Sequence, residues 1–136
     1  MLRIVGKTYD IPSELLEKVA NATFSYLGQN DAEIELKFVS EREIFHLNSI
    51  YRGNKATTDI LSFSLDEKPL LGQIFICYTL TKRQAIALQK DFWDEVALLL
   101  VHGILHVAGY DHITPKEESD MQKIEKTILA KEGIQR

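Results

Sequence analysis

Apolar and polar positions along the chain follow two different periods, which separate helices from strands. Between residues 13 and 27 apolar side chains recur every three or four positions, the spacing of one helix face. Ile34, Leu36 and Phe38 instead alternate with charged residues, as in a strand with one buried side. With Leu2–Val5 as a further short apolar segment, the chain is predicted to begin as strand, helix, strand.

Three segments have the spacing of a capping box, in which a serine or threonine precedes Glu or Gln by three positions. The pairs are Ser40 with Glu43, Thr81 with Gln84, and Thr114 with Glu117. They predict helices that begin at Ser40, Thr81 and Thr114, the first of which runs to about Tyr51. Pro115 suits the first position of the last helix, where its missing N–H costs nothing.

The remaining apolar segments complete the predicted fold. Residues 59–65 and 72–77 predict two strands joined by a polar turn at 66–69. The helix after Asp91 is apolar nearly all round, so we expect it to be buried in the core. The order β-α-β-α-β-β-α-α-α predicts one α+β domain over residues 1–136, with a mixed, mostly parallel four-stranded sheet and helices packed against it. The charged residues of the last helix, Glu125 among them, are interpreted as solvated surface.

Composition changes this picture little. A chain of 136 residues is long enough to bury its own core, and its net charge of −4 argues against extensive coating by nucleic acid while allowing a local basic groove. Cys77 is the only cysteine, so no internal disulfide forms and a reducing compartment fits. The apolar start of the chain is too short for a signal peptide, and the longest apolar run, 96–101, is too short to span a bilayer. We expect a cytoplasmic protein that does not bind a membrane.

Three of the four histidines fall between residues 102 and 112. His102 and His106 are four positions apart, which places both rings on one face of a helix. Gly109 allows a sharp turn at the end of that helix and so brings His112 back over the same face. Three imidazoles that converge suit one zinc ion per chain. Since three ligands leave one tetrahedral position open, the pattern is more typical of a catalytic than of a structural site.

Two other interpretations of these histidines remain. They are ordinary core or surface residues, or they form a structural site closed by a fourth ligand, for which His46 and Cys77 are available. Their spacing matches that of zinc peptidases, but Gly103 stands where such enzymes place a general-base glutamate. Asp111, the nearest carboxylate, either acts as a base, orients a histidine or stabilises the turn.

Residues 102–112 resemble the signature H-G-x-L-H-L-x-G-Y-D-H of the YbeY family, bacterial endoribonucleases of ribosomal RNA maturation, with Val107 in place of a leucine. Other parts of the chain are similar to the same family: Leu47-Asn48, Tyr51-Arg52-Gly53, Thr57-Thr58-Asp59-Ile60-Leu61-Ser62-Phe63 and Leu71-Gly72-Gln73-Ile74. The resemblance runs from about residue 47 to residue 125. The family usually has Asp where this chain has Gln73, so any role that needs a carboxylate there is missing.

The resemblance implies a zincin-like fold, with His102, His106 and His112 as metal ligands and Arg52 as a catalytic residue in the cleft. It implies cleavage of single-stranded RNA near the 3′ end of the small-subunit ribosomal RNA, a role in ribosome quality control, and association with the small subunit. Two alternatives of other classes are a zinc peptidase-like hydrolase and a non-enzymatic ribosome-assembly factor with structural zinc. Either a metal-activated water or the ribose 2′-hydroxyl attacks the phosphodiester.

Arg52 carries less information when it is taken by residue type alone. An arginine near the end of an amphipathic helix is ordinarily solvated or paired with an acid. Its guanidinium is nevertheless the group that holds a phosphate by two parallel hydrogen bonds and stabilises the charge of a reacting phosphorus. Lys55, Lys82 and Arg83 are either a basic rim around such a site or ordinary surface residues.

Overall fold

The computed structural model describes residues 1–6 and 10–136, which form four strands and five helices. The elements are β1 (Leu2–Val5), α1 (Ser13–Leu27), β2 (Glu33–Val39), α2 (Glu41–Arg52), β3 (Ile60–Glu67), β4 (Leu70–Cys77), α3 (Tyr78–Ala87), α4 (Phe92–Val107) and α5 (Pro115–Ala130). Their order is the predicted one. None of the described helices combines the length and the apolar character that crossing a membrane requires.

The strands form one sheet in the order β1-β2-β4-β3. The β1–β2 and β2–β4 pairs are parallel, whereas β3 runs antiparallel to β4 in the register Ser62 opposite Ile74. The sheet is therefore mixed and mostly parallel, as predicted. Because β3 lies at the end of the order, one of its edges has no strand beside it among the described residues.

The two faces of the sheet are covered differently. On one face Ile34, Leu36, Ile74 and Ile76 are fully buried against α1, α4 and α5, and they form the main core. On the other face a smaller cluster of Val39, Ile44, Leu61 and Cys77 lies under α2 and α3. As predicted, α4 is a central buried helix, with Leu100, Val101, Ile104 and Leu105 fully inaccessible to solvent.

The predicted helix start at Thr81 is wrong, whereas the other two capping boxes are confirmed with both of their hydrogen bonds. Helix α3 begins at Tyr78, directly after β4, and its first turn has no side-chain cap. Thr81 is instead a buried residue inside the helix, and its hydroxyl has no hydrogen-bond partner in the described part of the chain. The chain passes from strand to helix without a loop, so the capping pattern falls one turn too late.

The last two strands are longer than predicted. They extend over 60–67 and 70–77 rather than 59–65 and 72–77, and the turn between them is reduced to Lys68 and Pro69. Positions 66 and 67, which we expected in a loop of four residues, therefore belong to β3, because antiparallel pairing continues to Glu67 opposite Leu70.

Candidate active site

The last turns of α4 and the loop after it bring three histidine rings together. Asp91 caps the helix by accepting hydrogen bonds from the backbone of its first turn, and Gly109, at φ +106°, turns the chain back. His102 and His106 are half-buried, and His112 is exposed. The ring centroid of His112 lies 5.0 Å from that of His102 and 6.3 Å from that of His106. The His112 ring therefore lies near both helical histidines.

A buried carboxylate holds His102. Nδ1 of His102 lies 2.7 Å from Oε2 of Glu125. The other carboxylate oxygen of Glu125 accepts a hydrogen bond from Nε of Arg136 at 2.8 Å. The Glu125 side chain is 1% exposed, so its prediction as solvated surface is wrong. It lies on the inner face of α5 together with the buried Met121 and Ile128, where the helix packs against α4.

The charge state of Glu125 determines which nitrogen of His102 remains available. Burial alone raises the pKa of this carboxyl, but the hydrogen bonds and charges of His102 and Arg136 outweigh burial, so the pKa lies below its ordinary value. An ionised carboxylate only accepts hydrogen bonds, so Nδ1 of His102 carries the proton. The Nε2 lone pair is then left for a metal.

A neutral hydroxyl on the edge strand holds His106. Oγ of Ser62 lies 2.8 Å from Nδ1 of the ring, and Ser64 donates a hydrogen bond to the carbonyl of Val107 at 3.1 Å. Burial lowers the pKa of His106, and the charges of Arg52, His102 and His112 lower it further, against a smaller opposing effect of Asp111. The ring is therefore neutral near pH 7, the form in which histidine binds a metal.

Gly103, between the two helical histidines, faces the sheet. A Cβ atom at this position would lie 2.9 Å from Cδ1 of Ile74 and 3.1 Å from Cδ1 of Ile60. Real Cβ atoms essentially never approach within 3.0 Å, so the glycine allows α4 to pack closely on β3 and β4. A glutamate at 103 would enter the core, which excludes this position as the site of a peptidase-type base.

Arg52 lies at the edge of the same site. Its Nη2 donates a hydrogen bond to the carbonyl of Ser62 at 2.5 Å, and its guanidinium carbon is 5.3 Å from the centre of the Phe63 ring. The residue is exposed, yet its charge is close enough to lower the pKa of His106. This is the position that a cleft arginine needs, while its catalytic role stays a prediction.

The two residues considered as a fourth ligand lie elsewhere. Cys77 is fully buried in the small cluster on the face of the sheet opposite α4. His46 is exposed on α2, in a shallow pocket with Arg42, Glu43 and Phe45. The carboxylate of Asp111 accepts a hydrogen bond from the backbone N–H of His112 at 2.8 Å, which supports its role in the turn.

The three imidazoles suit a transition metal in their chemistry, but their positions do not form a complete metal site. Within residues 1–6 and 10–136 no group of three or more His, Cys, Asp or Glu side chains is already arranged to hold a metal ion. Two rings bound to one zinc ion at roughly 2.0–2.1 Å have centroids about 5 Å apart. His102 and His112 match this separation, and His106 and His112 have to close by about 1 Å from 6.3 Å. His112 lies on an exposed loop, so it is the residue that would move if the three rings bind one ion.

Sequence reasoning missed the residues that orient the rings. Ser62 and Glu125 lie 44 and 23 positions away from the histidines they contact, so no local spacing indicates either pair. One signal was present for Glu125: it shares the helical stripe of the apolar residues Met121, Ile128 and Leu129, where a charged residue is out of place unless it has a partner.

The chain as a whole is similar to known proteins. A family model described as Endoribonuclease YbeY matches residues 6–133. An Endoribonuclease YbeY from Alteromonas mediterranea is 42% identical over 131 residues, 92% of this chain and 83% of the relative, and one from Bacillus subtilis is 35% identical over 100% and 98%. The solution structure of TM1509 from Thermotoga maritima is similar with a TM-score of 0.66 at 30% identity, covering 96% of this chain and 91% of that one.

Proposed function

This chain belongs to the YbeY family of endoribonucleases, and on that premise we propose that it cuts single-stranded RNA with one zinc ion bound by His102, His106 and His112. The substrate is the small-subunit ribosomal RNA near its 3′ end, and the setting is ribosome maturation and quality control on the small subunit in the cytoplasm. The arrangement of the ring nitrogens carries the proposal. The Nδ1 atoms of both helical rings lie in hydrogen bonds within the protein, and with Ser62 as the acceptor for His106 the Nε2 atom of each ring is left for the metal.

The residues around the ion divide the work. When bound, zinc lowers the pKa of a coordinated water towards ~7 and polarises a phosphoryl oxygen. Glu125 keeps the proton of His102 on Nδ1, and Ser62 fixes the ring plane of His106. His102, His106 and His112 would hold the ion through their ring nitrogens, and three protein ligands would leave it accessible to substrate or water.

Arg52 binds the phosphate that is cut. One of its five N–H groups is engaged by the Ser62 carbonyl and its plane lies over Phe63, so the guanidinium is oriented before the substrate arrives. The remaining N–H groups bind two oxygens of the phosphate and stabilise the negative charge that builds up at phosphorus. Lysine, with a compact ammonium, does not provide this paired contact.

The identity of the attacking group is visible in the product ends. Attack by the ribose 2′-hydroxyl breaks the bond to the 5′ oxygen of the next nucleotide and leaves a cyclic 2′,3′-phosphate. Attack by water leaves a linear phosphate monoester. Mass spectrometry of the fragments separates the two routes.

The test is incubation of purified protein of defined metal content with a single-stranded RNA and, separately, with casein. We expect RNA cleavage, intact casein, and loss of both cleavage and bound metal in His106→Ala. His46→Ala is the matched control, because it removes an exposed histidine outside the site. Equal metal content in His106→Ala and wild type contradicts the metal assignment, and cleavage of casein favours the peptidase. A protein that binds metal but cuts neither substrate favours the assembly factor.

A further inference from the structure

A groove lined by aromatic side chains lies on the face of the sheet opposite the histidines. It has a volume of about 340 Å³, within the range of about 300–1,000 Å³ typical of small-ligand sites. We call it the aromatic groove after the residues that give it its character, which are Leu47, Tyr51, Phe63, Gln73 and Phe75; Ser64 and Leu65 of β3 complete its lining. They come from α2, β3 and β4, so both walls of the groove are regular elements.

The aromatic groove presents a ring to solvent on a firm support. Tyr51 is 67% exposed, and its ring meets Phe63 edge-on at 5.7 Å between centroids. Phe63 in turn meets Phe75 at 5.8 Å in the same edge-on manner. A tyrosine ring that is this exposed offers a surface on which a flat ring can stack. Proteins that bind single-stranded nucleic acids use aromatic side chains in this way.

The Arg52 cation at one end of the aromatic groove favours a polyanion that enters from the β3 edge. The Arg52 guanidinium lies over Phe63 and bonds the backbone of Ser62, whose side chain holds His106 on the other side of the strand. Gln73 gives the opposite wall a neutral amide. Its Nε2 donates a hydrogen bond to Glu35 at 3.1 Å. Because Glu35 carries a negative charge and is paired with Arg3 at 3.7 Å, the end of the aromatic groove that attracts a phosphate is the one beside Arg52.

We infer that the aromatic groove binds one unpaired base of the RNA, the base of a nucleotide next to the phosphate held by Arg52. The base stacks on Tyr51, the strand crosses the exposed edge of β3, and the phosphate lies between Arg52 and the histidines. Only an unpaired base leaves the stack to enter such a groove, so the site itself selects single strands. This inference rests on the proposed function and adds to it a binding site for a base.

The test is single-turnover cleavage of a single-stranded RNA at increasing protein concentration, with wild type and Tyr51→Ala. We expect Tyr51→Ala to raise the half-saturating concentration by about 5- to 100-fold, the effect of one lost stacking contact, with a smaller change in the maximal rate. Tyr51→Trp should retain tight binding. Tyr26→Ala, which removes an exposed tyrosine from α1, should match wild type.

A second arm alters the RNA instead of the protein. An abasic ribose placed in turn at each nucleotide that flanks the mapped cleavage point should weaken wild-type binding at one position and leave Tyr51→Ala unaffected there. If Tyr51→Ala saturates like wild type, or if every abasic RNA weakens both proteins equally, the inference is wrong while the proposed function stands. A wild-type protein that cuts no RNA overturns the proposed function itself.

Discussion

His102 and His106 lie one helical turn apart on α4, and groups of different charge hold their Nδ1 atoms. On the His102 side the partner is a buried carboxylate, itself fixed by Arg136. On the His106 side the partner is the hydroxyl of Ser62. The carboxylate permits one tautomer only, whereas a hydroxyl both donates and accepts. A carboxylate on the His106 side would also pair with the nearby Arg52, so a neutral partner leaves the charge of Arg52 available to a phosphate.

Substitution of Arg52, which lies on the His106 side of the site, should have the largest effect on RNA cleavage and should leave the contact between His102 and Glu125 intact. Arg52→Ala should lower the rate of single-turnover RNA cleavage roughly 100- to 1000-fold, as loss of a preorganised donor worth about 3–4 kcal/mol does. Arg52→Lys should recover only part of the rate, because the fork of donors is lost. Thermal melts should change little, since an exposed arginine contributes roughly 0–1 kcal/mol. If Arg52→Ala cleaves at the wild-type rate, or melts far lower while its folded fraction stays active, Arg52 is structural.

Substitution of Glu125 should weaken zinc binding by removing the charged partner of His102. Glu125→Gln keeps the shape of the side chain but removes the charge that fixes the tautomer of His102, so zinc affinity should fall by about 10- to 100-fold. Competition with a chromophoric chelator measures this change directly. Asp120→Asn, an exposed acid on the same helix, is the matched control. Unchanged zinc affinity in Glu125→Gln would mean that the buried carboxylate supports α5 and not the metal.

The same carboxylate should make stability depend on pH. The folded-state pKa of Glu125 lies below its ordinary value of 4.5, so its contribution to stability is present above that value and is lost as pH falls through the folded pKa. The difference in the free energy of unfolding between wild type and Glu125→Gln should therefore narrow in acid. Urea unfolding of both proteins from neutral pH downward checks this. If the difference between the two free energies of unfolding widens in acid, the ionised Glu125 carboxylate does not stabilise the folded state.

Substitution of Ser62 should have a smaller effect than that of Glu125. A neutral hydrogen bond contributes roughly 0.5–1.5 kcal/mol, so Ser62→Ala should weaken zinc binding by only about 2- to 10-fold. The chelator competition used for Glu125→Gln gives the value, with the exposed Ser25→Ala as control. Should Ser62→Ala cost as much zinc affinity as Glu125→Gln, the two sides of the helix would not differ in the way proposed.

The smallest expected effect is that of metal removal on the folded structure. The buried side chains of the main core come mostly from the sheet and from α1, α4 and α5, and none of them is a histidine. A domain of this length buries about two thirds of its chain surface without help from an ion. Circular dichroism before and after chelation should therefore show the same helical signal. Loss of that signal at room temperature would favour structural zinc.

The sequence carried local features well and distant contacts poorly. Alternation in β2 and the capping boxes at Ser40 and Thr114 depend on residues a few positions apart, and these predictions are confirmed. Thr81 failed because β4 continues into α3 without a loop, which is a property of how the two elements join. The approach of His112 to the two helical histidines followed from helical spacing and a glycine. The partners Ser62 and Glu125 depend on how β3 and α5 pack against α4, and spacing along the chain does not report that.

The position of β3 at the edge of the sheet has a consequence for motion. An edge strand is hydrogen bonded to one neighbour only, so it opens more readily than a central strand. Ser62 on this strand holds His106, and its carbonyl holds Arg52. One local opening of β3 therefore releases both, while His102 keeps its partner on α5. In hydrogen exchange, the amides of β3 should therefore exchange earlier than those of α4. The site would then lose the support of His106 and Arg52 before it loses that of His102.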